Sequence, residues 1–284
     1  IPTQPGDIVP DWQGLADAEL VALHFWCGER LPDLRFDPDS LTLTSSHRTM
    51  YRLTEGTKPL PLRYSLENLA DALTEPGEWC FIATTGELLY LHREGETLDN
   101  TRLEIPVLHR LIELRGFGYG DHTVPTDGKP VGASVQGAFD ACSACSIQHA
   151  DNVEIRNCDF QHLGGHAIRI GPGCAKVNLH HNHFHDLGGG AVIAHGAELD
   201  GPSAGRTHDI TVADNHCHAM GRTFPDACGI LSGAVERMHI LHNHIHDLYY
   251  SGISLGWTWG YADTVSRDHR VEGNIVEDVS QGML

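Results

Sequence analysis

The chain has 284 residues, 40% of them hydrophobic, enough to bury a sizeable core in one or two domains. Its formal charge of −19 argues against nucleic acid or an anionic membrane as partner, and no apolar run is long enough to span a bilayer. No signal-peptide pattern is present, but the chain begins Ile1-Pro-Thr rather than with Met, so that absence carries no information.

Residues 1–60 read as strands and turns, an N-terminal segment ahead of the regular part of the chain. Asp17 to Trp26 fits a helix or a strand, and Leu41 to Thr44 is a strand. A small β-rich module is expected over 61–107. Within it, Leu66, Leu69 and Leu73 at helical spacing, with Ser65 as N-cap, predict a helix over 65–73. Trp79 to Ile82, a Thr84-Thr-Gly-Glu87 turn and Leu88 to Leu91 predict a hairpin. Alternation resumes at Val107 to Leu114. Residues 116–135 are Gly-rich and polar and read as a loop, and regular units start near Ile147.

From there the chain repeats itself. Cys158, Asn182, Asn215, Asn243 and Asn274 align, with steps of 24, 33, 28 and 31 residues. An apolar alternation precedes each, as in Val177/Leu179 and Ile210/Val212. A buried-type residue follows two positions later: Phe160, Phe184, Cys217, Ile245 and Val276. A third alternation closes each unit, as in Ile168/Ile170, Val192/Ala194, Ile230/Ser232 and Ile253/Leu255. Three short strands per unit of about 25–30 residues signal a parallel β-helix over 108–284. Coils stacked about 4.8 Å apart place like on like, so the asparagines form a ladder and glycines turn the corners. The unequal steps must then be loops, at 196–209, 221–228 and 257–268. They flank a groove over the sheet whose outward residues are Arg169, Ile193, Leu231 and Ser254.

Candidate site residues come from that placement. Trp257, Trp259 and Tyr261 in one loop suit the apolar faces of sugar rings, or else pack the loop down. Arg222, His195 and Arg169 complete the expected substrate contacts. Glu198, Asp200, Asp226 and Asp263 are carboxylates near the groove. Asp226, beside Arg222, and Glu198 are the candidate catalytic acids, with a loop hydrogen bond the alternative for Asp226. A glycosidase needs two such groups about 5 Å or about 6.5–9.5 Å apart. The histidines at 180, 181, 183, 185, 242, 244 and 246 invite a metal reading, but they recur at one repeat position and are explained as stacked turn residues. Asp186, Asp247 and Asp278 read as turn caps. Cys142-Ser-Ala-Cys145 has no second pair, and several of the eight cysteines fall at core positions. No metal and no cofactor is expected.

Some of these residues also carry a resemblance. Asp11-Trp12, Leu23-His-Phe-Trp26 and Arg30-Leu31, then Glu67-Asn68, Pro76-Gly-Glu-Trp79 and Thr85 to Tyr90, resemble the opening of a group of bacterial right-handed β-helix proteins. Asn243-His-Ile-His-Asp-Leu248 with Gly252-Ile-Ser-Leu-Gly-Trp-Thr-Trp-Gly-Tyr261 is the most specific match. The group includes glycoside hydrolase family 141, similar to α-L-fucosidases and xylanases acting on plant polysaccharide. The resemblance implies an all-β right-handed parallel β-helix with a small inserted module, an extracellular or periplasmic setting and a polysaccharide or oligosaccharide partner. It also implies that the main acids lie beyond Gln281-Gly-Met-Leu284, in a Ser-Asp-x-Gly-Gly-Ile-Tyr coil and one after it, so this chain is expected to be the front of a longer enzyme. A non-catalytic glycan-binding or structural β-helix, and a polysaccharide lyase, are the alternatives.

Overall fold

The computed structural model describes residues 1–284 apart from 2, 4, 10, 11, 13, 25, 52–62, 98, 102–111, 116–135, 259, 260, 262 and 282–284. The chain divides into two units, residues 1–104 with 123–133, and residues 105–122 with 134–284. Among the described residues no helix is long and apolar enough to cross a membrane.

In the first unit, β1 (Glu19–Leu23) pairs antiparallel with β2 (Gly28–Leu31). A short ribbon of β3 (Arg35–Asp37) and β4 (Thr42–Thr44) comes next. β5 (Arg63–Glu67) returns to the other edge of β1, and β6 (Trp79–Ile82) and β7 (Glu87–Tyr90) form the expected hairpin. The ambiguous stretch at 17–26 therefore contains strand β1 and no helix among its described residues. The helix expected over 65–73 is not there: β5 occupies its start, and a 3-10 turn covers only Ala70–Ala72. Leu20 of β1 opposes Leu66, so pairing across 46 residues overrides the local spacing of leucines. The same pairing joins strands on both sides of residue 60, where a boundary was expected. The core here is Leu20, Ala22, Leu31, Leu34 and Leu43. Beside it the buried carboxylate of Glu29 accepts from the backbone N–H groups of Met50 and Tyr51 and lies 2.9 Å from Nε2 of His24.

The second unit opens with β8 (Ile112–Arg115) and β9 (Ser143–Gln148). The stretch 116–135, expected as a loop, lies outside the described residues. The coils then run β10 (Asp151–Arg156), β11 (Asp159–Leu163) and β12 (His166–Ile170); β13 (Ala175–His180), β14 (His183–Leu187) and β15 (Val192–Ala194); β16 (Thr207–Ala213), β17 (His216–Met220) and β18 (Ile230–Ser232); β19 (Val235–Leu241), β20 (His244–Leu248) and β21 (Ile253–Leu255); and finally β22 (Arg270–Glu272) and β23 (Ile275–Glu277). They form three parallel sheets. The first is β10-β13-β16-β19-β22, the second β11-β14-β17-β20-β23, and the third β21-β18-β15-β12-β9-β8.

Register puts like residues in columns that face the interior. Val177, Ile210 and Met238 form one, Phe184, Cys217 and Ile245 another, and Ile168, Val192 and Ile230 a third, all essentially unexposed. The asparagine ladder is present. Asn182, Asn215 and Asn243 each donate both backbone N–H and Nδ2 to Oδ1 of the next asparagine, ending at Asn274, at 2.8–3.0 Å. Each Nδ2 also donates to a strand carbonyl one coil back, as Asn215 does to Leu179. The residue before each ladder position, Asn157, His181, Asp214, His242 and Gly273, has a left-handed backbone. So do Asp186, Asp247 and Asp278; Asp278 lies at a bend as read, whereas Asp186 and Asp247 fall within β14 and β20 rather than in turns.

Candidate functional site

The outward residues of the third sheet are in register as expected: Arg169, Ile193, Leu231 and Ser254 on β12, β15, β18 and β21. They do not floor an open groove. Ile193 and Leu231 are fully buried under Phe139, Tyr250 and Trp257. Covering two aliphatic side chains is the driving force. Each fully buried residue of this kind contributes about 1.5–3 kcal/mol relative to exposure.

The cover is the stretch from Gln136 to Ala141, whose backbone is held down by three side chains. Arg169 donates to the carbonyls of Phe139 and Ala141. His166, buried on β12, donates from Nε2 to the Ala138 carbonyl at 2.8 Å, and its Nδ1 accepts from the Gly190 N–H at 2.9 Å. The Asp226 carboxylate accepts from the Ala138 N–H at 3.2 Å. Gly137 sits where a Cβ would meet Leu231 and the Trp257 ring, and its φ of +74° also favours glycine.

For Asp226 the structure shows the alternative, a hydrogen bond to a loop: it is fully enclosed and anchors the cover rather than lining a groove wall. Burial, with the Asp226 charge added, pushes the nearby Cys228 thiol up to about 12. Nor does Arg222 turn to Asp226. It donates to Asp247 at 2.7 Å and to the Tyr249 hydroxyl at 3.1 Å, and lies over the Tyr249 ring.

The loops after β15 and β21 converge, as expected, at one edge of this sheet. Glu198 accepts from the Thr264 hydroxyl at 3.4 Å, and Thr264 also bonds Thr258 at 2.8 Å. Arg206 holds the first loop through the carbonyls of Ala197 and Leu199. His195 projects here with Phe139 edge-on to its ring at 4.8 Å. Burial lowers its pKa, the Glu198 carboxylate opposes that, and Arg169 adds to it. Trp257 stacks on Phe139 at 6.2 Å, and its indole N–H donates to Ser254. It therefore packs the loop onto the sheet, one of its two anticipated roles. Tyr261 is fully exposed, Asp200 and Asp263 are exposed, and Trp259 lies outside the described residues. The edge thus offers a half-buried imidazole, a reachable carboxylate and hydroxyls beside an aromatic pair. These groups suit a polyhydroxylated ligand and a proton transfer.

Phe139, His166 and Arg206 escaped the sequence reading. None sits at a marked repeat position, and Phe139 reaches the site only because the chain before the first full coil folds back over the sheet.

His166 gives a pH prediction. Burial, chiefly, pushes its pKa down from 6.5 to about 4. Between those values the unfolded chain binds a proton that the folded chain does not. Stability therefore rises with pH across the window and falls as pH drops from about 6.5 to about 4, by on the order of 3 kcal/mol in full. Urea midpoints measured from pH 4 to 6.5 should show this slope. His166→Gln, which keeps a donor for Ala138 but does not titrate, should make it shallower, leaving the part due to His216, which desolvation and its histidine neighbours likewise lower to about 4.

Of the histidine runs, His181 and His242 lie at the turns before the ladder and His180 on β13, while the rest stack on strands of the second sheet. His183 and His185 lie on β14, and His244 and His246 on β20. Between them β17 adds His216 and His218, which the sequence reading passed over. Cys142 and Cys145 are not joined by a disulfide, with Cys142 exposed and Cys145 buried.

Residues 140–284 match the family model described as "Right handed beta helix region", and the chain belongs to that family. No curated protein matches. A solved structure named "Glycoside hydrolase" is similar in fold, with a TM-score of 0.74 over 95% of this chain at 20% identity. This chain spans 55% of that structure's chain.

Proposed function

We propose that this chain is the scaffold and part of the substrate cleft of a carbohydrate-active β-helix protein, a glycoside hydrolase of the family 141 type. Fucosidase- or xylanase-like action on plant or microbial polysaccharide by two carboxylates is the reading. The observation that carries it is the convergence of Glu198, His195 and the Phe139–Trp257 pair where two loops meet over the third sheet. The fold shared with a protein named glycoside hydrolase supports it. Glu198 is the candidate acid, on the loop that follows His195. Tyr261 is a sugar contact and Arg222 an outer one. Arg169 and Asp226 act by holding the cover in place. Asp226 is enclosed and serves the cover, so the second acid of the pair comes from elsewhere in the enzyme.

The test assays this chain, and a version extended along its natural reading frame, on aryl α-L-fucosides and on xylan. The extended form should release product, and Glu198→Gln should lower its kcat about 10²–10⁴-fold with the fold intact. An unchanged kcat would remove Glu198 from the mechanism. The enclosure of Asp226 favours one second reading, a cleft that binds glycan without cleaving it. In that case neither form turns over, and oligosaccharide binding weakens on Tyr261→Ala.

A further inference from the structure

We propose that the outward face of the second sheet binds divalent transition-metal ions of the Cu²⁺, Ni²⁺ and Zn²⁺ class. It seats two at saturation, one on Asp159, His183 and His185 and one on His216, His244 and His246.

The placement comes from strand alternation. Phe184, Cys217 and Ile245 point inward and are fully buried, so the histidines on either side of each point outward. Register stacks His183 on His216 on His244, and His185 on His218 on His246. The result is a grid of six imidazoles, two across and three high. Ring centroids are 4.2–4.7 Å apart along each strand and 5.0–5.4 Å apart between strands. Asp159 closes one end, 3.1 Å from Nε2 of His185 and 3.7 Å from Nδ1 of His183.

Stacking alone accounts for a column of like residues, but this grid differs from the asparagine ladder. In the ladder both side-chain amide atoms are bonded. In the grid every described hydrogen bond runs through Nε2, and the six Nδ1 atoms make none. Two contacts are bare imidazole to imidazole, His183 to His218 and His216 to His246, each 2.9 Å between Nε2 atoms. In such a contact one Nε2 donates and the other accepts, and the neutral donor ring then carries its unengaged lone pair on Nδ1.

The dimensions fit an ion. Metal–imidazole bonds of about 2.0–2.1 Å put two nitrogens on one ion about 2.9 Å apart at a right angle and about 3.4 Å apart in a tetrahedron. The 2.9 Å contact of His216 with His246 matches the first and reaches the second by a few tenths of an ångström of side-chain motion, and at the other site the Asp159 carboxylate is already 3.1 Å from His185 Nε2 and 3.7 Å from His183 Nδ1. Three sets of three ligand atoms lie within 4.8 Å of one another: Asp159–His183–His185, His183–His216–His218 and His216–His244–His246. The middle set shares one histidine with each of the others. Only the outer two can be filled together, which fixes the stoichiometry at two. Glu277 already bonds His244 at 2.8 Å, the carboxylate–imidazole arrangement that orients a metal ligand. Imidazole-rich sites suit the late first-row ions and discriminate against calcium and magnesium.

The test is a titration of the chain, free of any affinity tag and stripped with EDTA, with Cu²⁺ and Zn²⁺ against a chromophoric chelator. Two ions should bind per chain. His183→Asn breaks two of the three sets and should leave one ion, as should His216→Asn. The double variant should bind none, while His181→Asn should still bind two. No binding by the parent chain, or full binding by the double variant, overturns the proposal. Should the double variant lose its far-UV spectrum, the paramagnetic resonance of the parent chain with one equivalent of Cu²⁺ decides. Hyperfine structure from two or more nitrogens supports the site, and an oxygen-only spectrum overturns it. Glycan turnover is not the readout, so this result is independent of the carbohydrate assignment.

Discussion

Asn215→Leu is expected to destabilise the repeat unit by about 3–6 kcal/mol, a large part of the 5–15 kcal/mol typical of a folded domain. The side chain is almost fully buried and has a direction. Its Oδ1 accepts from both the backbone N–H and Nδ2 of Asn182, and its Nδ2 donates to the Leu179 carbonyl and to Asn243. Leucine fits the volume but strands the Asn182 donors and the Leu179 acceptor inside the protein. Each stranded buried group costs about 1–3 kcal/mol. Asn215→Asp keeps the acceptor but points an oxygen at the oxygens of Asn243 and Leu179, and is expected to fare no better. Asn274→Leu is the contrast. It strands the same kinds of group on Asn243, but Asn274 is only part-buried and water replaces some of the loss. Urea unfolding followed by far-UV circular dichroism should rank Asn215→Leu well below Asn274→Leu. Equal midpoints would mean that the ladder is a consequence of the stacking rather than a support for it.

The ladder could be read from the sequence because its cause is local and repeated: an asparagine in a fixed relation to apolar alternations. The same holds for the three strands per coil and for the loops after β15 and β21. What escaped was long-range. Phe139 covers the groove floor from outside the repeat, so Ile193 and Leu231 looked like exposed positions and Asp226 like a wall residue. Asp226 instead bonds Ala138, 88 residues away. Likewise Leu66 and Leu69 have helical spacing, and only the partner strand β1 decides for a strand. The histidine grid failed differently. Its rows at His183 and His244 were noticed, but the row at His216 and His218, which joins them, was not. Without that row the histidines remain isolated pairs rather than a grid.

Room between coils, and not only turn conformation, calls for glycine at the corners, and Gly190→Ala is expected to show it. These residues were read as supplying turn conformations, yet left-handed backbone in the coils falls mostly on Asn, Asp and His. At Gly190 what matters is room. A Cβ there would collide with the Cys228 carbonyl oxygen of the next coil and lie 3.2 Å from that of Gly229. Backbone cannot yield as a side chain tip does, because the Gly190 carbonyl accepts from Ala167 on one side and Ala191 donates to Gly229 on the other. Coils stacked about 4.8 Å apart have to part to admit the methyl group. A loss above about 4 kcal/mol is expected, in the range reserved for overpacking of this kind. The damage should spread to the candidate site. Parting β15 from β18 moves Ile193 against Leu231 and releases the Phe139–Trp257 stack, so tryptophan fluorescence should shift before the far-UV signal falls. Gly164→Ala is the control at the same corner. Nothing lies within 4 Å of its Cβ position and its φ is not left-handed, so its stability should stay within about 0.5 kcal/mol of the parent or rise slightly. If both variants unfold alike, the corner needs glycine for its backbone freedom after all. If Gly190→Ala alone collapses, the spacing between coils is what positions His195 and Glu198 at the sheet edge.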